Sequence, residues 1–251
     1  MVFNREGKLL TSWDNVDNMF VRPHSVTISP YDKDKNVWLI DDMGHQLVKF
    51  THDGKKILMT LGVKGVPGND KTHFNRPTDI AFLPNGDFFV TDGYVNTRVV
   101  KFSSDGKYLF EWGKPGKGPG EFNLVHSIAI DAKGRIYIAD RSNSRIQVFD
   151  PNGKYLDEWD DIRSPYHIYM SRDQYLWVSD GVSQKFLKYD LTGKLLYSWG
   201  TFGPFPGGLW GVHQFSIDNE GNLYTAEVFN GRVQKFRPKP GADPAKLITA
   251  N

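Results

Sequence analysis

The stretch Phe88–Gly113, FFVTDGYVNTRVVKFSSDGKYLFEWG, holds three apolar runs, FFVTD, RVVKF and KYLFEW, separated by GYVNT and SSDG. Alternating β-branched and aromatic residues bounded by Asp-Gly turns read as three antiparallel strands joined by tight connections. TDIAFL, just upstream and closed by PNGD, adds a fourth strand ahead of them.

The same unit recurs. A Gly-Lys pair ahead of an apolar strand appears at Gly7-Lys8, Gly54-Lys55, Gly106-Lys107, Gly153-Lys154 and Gly193-Lys194, at spacings of 47, 52, 47 and 40 residues. Opening strands (HSVTIS, TDIAFL, HSIAID, YHIYMS, HQFSID) precede second strands that end on Asp41, Asp92, Asp140, Asp180 and Glu227. Units of four strands at this period are the blades of a β-propeller, each burying its apolar faces against its neighbours. The chain therefore reads as all-β, a single propeller domain over residues 1–251, with five blades and six as the alternative. VFNREGKLLTSW at the amino terminus matches VFDPNGKYLDEW inside the third unit, the end of a third strand running into a fourth. The last unit lacks a clear fourth strand. The N-terminal strand is thus expected to join the C-terminal blade and close the ring, removing an exposed edge.

Composition limits the function classes. With 39% hydrophobic and 24% charged residues the chain can bury a core, and a net charge of +2 without a basic cluster argues against nucleic acid as a partner. There is no cysteine, which removes thiolate metal sites and a cysteine nucleophile. No apolar run approaches the roughly 20 residues of a membrane helix, and MVFNREGKLL lacks a signal-peptide core. No membrane partner is expected, and the chain reads as cytoplasmic or as the mature form of an exported protein. A monomer is the expected state.

The opening positions of the innermost strands are His24, Thr78, His126, Tyr166 and His213, so alternate units carry an imidazole in one register. Inner strands of a propeller surround its axis. Three neutral imidazoles with an open fourth position suit zinc or another divalent metal; packing, or a hydrogen bond to a neighbouring turn, is the plain alternative. By strand alternation His167 points to the opposite face from Tyr166. His45, His52 and His73 read as loop or surface residues, and Arg98, Arg145 and Arg232 as structural. GTFGPFPGGLWG, residues 200–211, reads either as a lid or as a packed connection between blades.

Asn96-Thr97-Arg98 and Asn143-Ser144-Arg145, set in this blade pattern, resemble the NHL-repeat propellers. HFNRPTDIAF, the opening stretch, GPGEFNLVHSIAI and IYIADRSNSRIQVF resemble the peptidyl-α-hydroxyglycine α-amidating lyases, from about Phe20 to Asp150 and again near His213. The resemblance implies that His24, His126 and His213 are zinc ligands, that Tyr94 is the catalytic tyrosine and that Arg141 is an active-site arginine. It implies a lyase that splits a carbinolamide into an amide and glyoxylate, acting on a peptide or a small molecule. An exposed turn aromatic is the plain alternative for Tyr94, and a salt bridge with Asp140 or Asp92 for Arg141. The family carries a further catalytic arginine for which no position here can be assigned. It also carries a structural calcium held by an Asp after the last zinc histidine; Gln214 stands there, leaving backbone carbonyls for calcium. A metal-dependent hydrolase or lactonase on the same frame, or a non-catalytic propeller binding a peptide or protein, are the other expectations.

Overall fold

The computed structural model describes residues 1–250, so the expected domain of 1–251 extends one residue beyond them. Five antiparallel sheets follow one another in chain order, each built as a meander. Blade one comprises Pro23–Ile28, Val37–Asp41, Gln46–Phe50 and Ile57–Gly62. Blade two comprises Pro77–Phe82, Phe88–Asp92, Arg98–Phe102 and Tyr108–Trp112. Blade three runs through Val125–Ile130, Ile136–Asp140, Arg145–Phe149 and Tyr155–Trp159. Blade four holds Pro165–Met170, Leu176–Asp180, Lys185–Tyr189 and Leu195–Trp199. Blade five has three strands, Val212–Ile217, Leu223–Glu227 and Arg232–Phe236.

Local chemistry sets the turns. Between the third and fourth strands of blade three, Asp150 Oδ1 accepts from the backbone of Asn152 and Lys154, while Gly153 takes φ +81°, a conformation that favours glycine. Asp190 and Gly193 repeat the arrangement in blade four. The carboxylates that end the second strands fasten the loop entering each blade. Asp92 accepts from Asn75 N, Asp140 from Asn123 N and Asp180 from Arg163 N, at 2.9, 2.7 and 2.8 Å.

Arg98 and Arg145 are structural, as expected. Arg98 bonds Asp92, Glu111 and the His73 carbonyl; Arg145 bonds Asp140, Glu158 and the carbonyls of Lys117, Gly118 and Glu121. Arg232 binds the carbonyls of Pro204, Phe205 and Gly208, which pins the 200–211 segment to blade five. Gly211 N donates to Gln184 of blade four. That segment is therefore a packed connection rather than a lid.

Apolar clusters lie between neighbouring blades. Trp38 and Ile40 pack with Ile80 and Val90, Phe89 and Val99 with Ile128 and Ile138, Tyr137 and Ile146 with Ile168 and Val178, and Trp177 and Phe186 with Phe215 and Leu223. Five blades thus share four interfaces. The third residue of the repeated opening motif shows the consequence: Ile80, Ile128, Ile168 and Phe215 are at most 5% exposed, whereas Val26 of blade one is 63% exposed. Val233 of blade five is 71% exposed.

The expected closure is corrected accordingly. Val2–Phe3 and Leu9–Thr11 pair with each other as a separate two-stranded sheet and do not extend blade five. Asn4 accepts from Glu6 N and Lys8 N and Gly7 takes φ +82°, so the hairpin satisfies its own turn. Among the described residues it bonds to blade five through Arg5 with Glu220 and through Lys235 Nζ, which donates to the Arg5 carbonyl at 2.9 Å. The flank between blades five and one is open, with a cleft of about 330 Å³ walled by His24, His213, Val228 and Val233.

Candidate metal and catalytic site

His24, Thr78, His126, Tyr166 and His213 share one structural peculiarity. In every blade the ladder between first and second strands slips at that residue: Pro23 pairs with Asp41 and Ser25 with Ile40, leaving His24 unpaired, and the other four blades repeat the slip. Each is therefore the extra residue of a β-bulge, a device that bends the strand and re-aims a side chain. The bulges turn three imidazoles onto one point. The ligand nitrogens of His24, His126 and His213 all lie within 4.8 Å of one another.

That point is the Tyr94 hydroxyl. It lies 3.0 Å from His24 Nε2, 3.0 Å from His126 Nε2 and 3.3 Å from His213 Nε2. Tyr94 reaches it from the corner after Phe88–Asp92, which passes so close to blade three that a Cβ on Gly93 would meet the Val125 carbonyl at 1.7 Å. Only glycine permits that approach. Tyr94 is half-buried, so the exposed-turn alternative does not hold.

The outer edges of two imidazoles settle their tautomers. His24 Nδ1 lies 2.8 Å from the Thr78 carbonyl, and His126 Nδ1 contacts the Tyr166 carbonyl. A carbonyl only accepts, so each Nδ1 carries the proton and each Nε2 presents a lone pair inward. Burial keeps all three rings neutral: it depresses His24, holds His126 well below its ordinary value and brings His213 to about 3. Tyr94 has one hydroxyl hydrogen for these converging lone pairs. At least one inward nitrogen of the His24–His126 pair therefore faces the phenol oxygen without a proton between them, an arrangement a cation relieves. The donor set fits a divalent metal of the zinc type. Its ligands would be His24, His126 and His213, with backbone carbonyls fixing two of the rings as an outer shell does in metal sites.

Positive charge rings the tyrosine. The guanidinium carbons of Arg76, Arg141 and Arg22 lie 4.6, 5.5 and 5.9 Å from its ring centroid. Burial leaves the phenol raised on balance, with Arg141 followed by Arg22 opposing the rise. Arg141 also sits 4.8 Å over the Tyr166 ring. Asp140 and Asp92 are engaged by Arg145 and Arg98, so the salt-bridge alternative for Arg141 is not what the fold uses. Arg22 and Arg76 were missed at the sequence level. Their signal is positional, since each stands two residues before the bulge, at His24 and at Thr78.

A second polar layer lies beside the first. Asp79, His167 and Gln214, each one residue past its bulge, line a cavity of about 770 Å³ with walls from all five opening strands. Ser127 Oγ donates to Asp79 Oδ2 at 2.6 Å and lies 3.0 Å from His167 Nδ1. The alternation expected for His167 fails because the bulge at Tyr166 interrupts it; the ring is half-buried in this cluster, and desolvation brings it to about 4. Gln214 brings no carboxylate for calcium, and among the described residues the three histidines are the only group of three or more potential metal-ligating side chains. His45, expected in a loop, is half-buried and accepts from Arg76 N at 3.2 Å.

Asp79 carries a pH signature. Burial raises its carboxyl from 3.8 to about 6, so the folded chain binds its proton more tightly than the unfolded chain does. That contribution is fully present below about pH 4 and is lost as pH rises through 6. Asp79→Asn is expected to gain stability over wild type as pH goes from 4 to 7.5, by up to about 3 kcal/mol. Denaturant melts at the two pH values check this; an unchanged difference contradicts it.

Comparison with known proteins agrees with the resemblance read from the motifs. The chain is 40% identical over 136 residues to peptidyl-glycine alpha-amidating monooxygenase B of Xenopus laevis, covering 52% of this chain and 15% of that one. It is 36% identical over 149 residues to a probable peptidyl-alpha-hydroxyglycine alpha-amidating lyase of Caenorhabditis elegans, covering 58% and 41% respectively. The chain thus spans less than half the length of these relatives. A streptogramin B lyase structure superposes with a TM-score of 0.59 at 20% identity, over 88% of this chain and 70% of that one, which establishes the shared propeller fold. Residues 68–194, half of the chain, match the DUF5128 family, described as a 6-bladed beta-propeller and so in line with the six-blade alternative, and the chain belongs to that family.

Proposed function

We propose that this chain is a zinc-dependent carbon–nitrogen lyase that cleaves peptidyl-α-hydroxyglycine, or a related carbinolamide, into an amide and glyoxylate. The observation that carries the reading is the convergence of three neutral imidazoles on the hydroxyl of Tyr94. The name of the Caenorhabditis elegans relative, a probable peptidyl-alpha-hydroxyglycine alpha-amidating lyase, supports it over the part of its length that matches.

His24, His126 and His213 would hold the metal, which when bound supplies Lewis-acid polarisation of the substrate oxygen. Tyr94 Oη, as phenolate, takes the proton of the substrate hydroxyl. The O–H electron pair becomes the second bond of the new carbonyl, the carbon–nitrogen bond breaks, and its electron pair goes to nitrogen. Tyr94 Oη returns the proton to that nitrogen, so one amide and one glyoxylate leave and the enzyme is unchanged. Arg141 faces the phenol ring and offsets the cost of its negative charge within a half-buried site.

Zinc-loaded protein incubated with a peptidyl-α-hydroxyglycine tests the reading. Equal amounts of amidated peptide and glyoxylate, released faster than in the buffer control, are expected. Lactone hydrolysis without glyoxylate would replace this reading with a hydrolase, and neither activity would leave a binding propeller.

A further inference from the structure

Arg22, Asp42 and Arg76 form a cluster to which the proposed chemistry assigns no part. The Asp42 side chain is fully buried yet sits at the rim of the site, one residue past the carboxylate that ends the second strand of blade one. Arg141 occupies the equivalent position in blade three. Asp42 grips two guanidiniums on the same edge: Arg22 through Nε at 2.7 Å and through Nη2, and Arg76 through Nε at 3.0 Å and Nη2 at 2.8 Å. The backbones are held as well. Arg22 N donates to Asp41 at 2.8 Å, and Arg76 N to His45 Nδ1.

A purely structural ion pair would need one arginine for one buried carboxylate. Here two serve it, and both remain part-exposed, with side chains 48% and 31% accessible. Each guanidinium spends Nε and Nη2 on Asp42, which leaves its Nη1 edge without a protein acceptor among the described residues. Both stand over the Tyr94 ring, at 5.9 and 4.6 Å. Backbone geometry does not explain the arginine at position 76, because Leu124 holds the same left-handed corner in blade three, at φ +72° against +65°. With Arg141 counted, three cations face one carboxylate around a single phenol.

We infer that Arg22 and Arg76, splayed and locked by Asp42, form a preorganised carboxylate clamp that selects substrates bearing an anionic group next to the reacting carbon. The inference rests on the lyase reading for what the clamp is for. Two guanidinium edges held in advance bind a planar carboxylate in forked fashion without ordering cost. The division of labour follows: Arg141 serves Tyr94, and the Arg22–Arg76 pair takes the carboxylate of the two-carbon fragment that departs as glyoxylate. Asp42 is a positioning residue, and it also lowers the rim charge enough for the product to leave.

The test uses binding rather than turnover. Glycolate and its neutral analogue glycolamide are titrated into zinc-loaded wild type, Arg22→Gln, Arg76→Gln and the double variant, with zinc content and thermal melts checked for each. Wild type is expected to prefer glycolate by about 10- to 100-fold, the range for hydrogen bonds to a charged group. Each single variant should lose a large part of that preference, with glycolamide affinity retained. Equal affinities in wild type, or a preference that survives the double substitution, would overturn the clamp. If the double variant fails to fold, the single variants decide it by the same ratio. Lack of glyoxylate production with the glycolate preference intact would remove the lyase reading and leave the clamp; glyoxylate production with an unaltered preference in the variants would do the reverse.

Discussion

Tyr94→Phe is expected to lower kcat for glyoxylate release by about 10²- to 10⁴-fold, the usual span for loss of a positioned acid–base group. KM should change little, since the ring and its packing under the three guanidiniums remain. Zinc content should also be unchanged, because the imidazoles keep their carbonyl partners at Thr78 and Tyr166. Pre-steady-state kinetics beside elemental analysis separate these quantities. A kcat within a few-fold of wild type would remove Tyr94 from the chemistry and leave it a packing residue. Loss of metal together with rate would instead make the tyrosine part of the ligand set.

His126→Ala is expected to cost the metal itself. The ring is 2% exposed, packs against His24, His213, Tyr94 and Tyr166, and supplies one of three inward nitrogens. Outer-shell substitutions in metal sites typically cost about 10- to 100-fold in affinity, so loss of a ligand should exceed about 100-fold. Competition with a chelator of known affinity measures it. The variant also replaces a buried ring by a cavity, so its fold must be checked by circular dichroism. His126→Gln, closer in size, should lose affinity similarly with less damage to packing. Wild-type zinc affinity in both variants would contradict the three-histidine site.

Much of this architecture is legible in the chain. The blade period follows from the recurring Gly-Lys turns, and the histidine register follows from aligning HSVTIS, HSIAID and HQFSID. What was hidden has identifiable causes. A bulge adds one residue without altering composition, so strand alternation misassigns His167 while the register of His24, His126 and His213 survives. Val26 reads like Ile80 and Ile128 because burial of an inner-strand residue depends on the neighbouring blade, which periodicity within one blade cannot report. The amino-terminal hairpin matches the outer half of a blade, yet matching strands do not say which edge, if any, they join. Arg22 and Arg76 each look like an ordinary residue before a proline. Their meaning comes from Asp42, 20 positions from Arg22 within blade one and 34 from Arg76 across the boundary to blade two.

The most direct test of the account is glyoxylate release measured against bound zinc during stepwise loading of metal-free wild-type protein. The three-histidine lyase predicts a rate that climbs in proportion to metal and levels off near about one zinc per chain. A fully loaded protein that releases no glyoxylate, or a metal-free protein that releases it at the loaded rate, would contradict it.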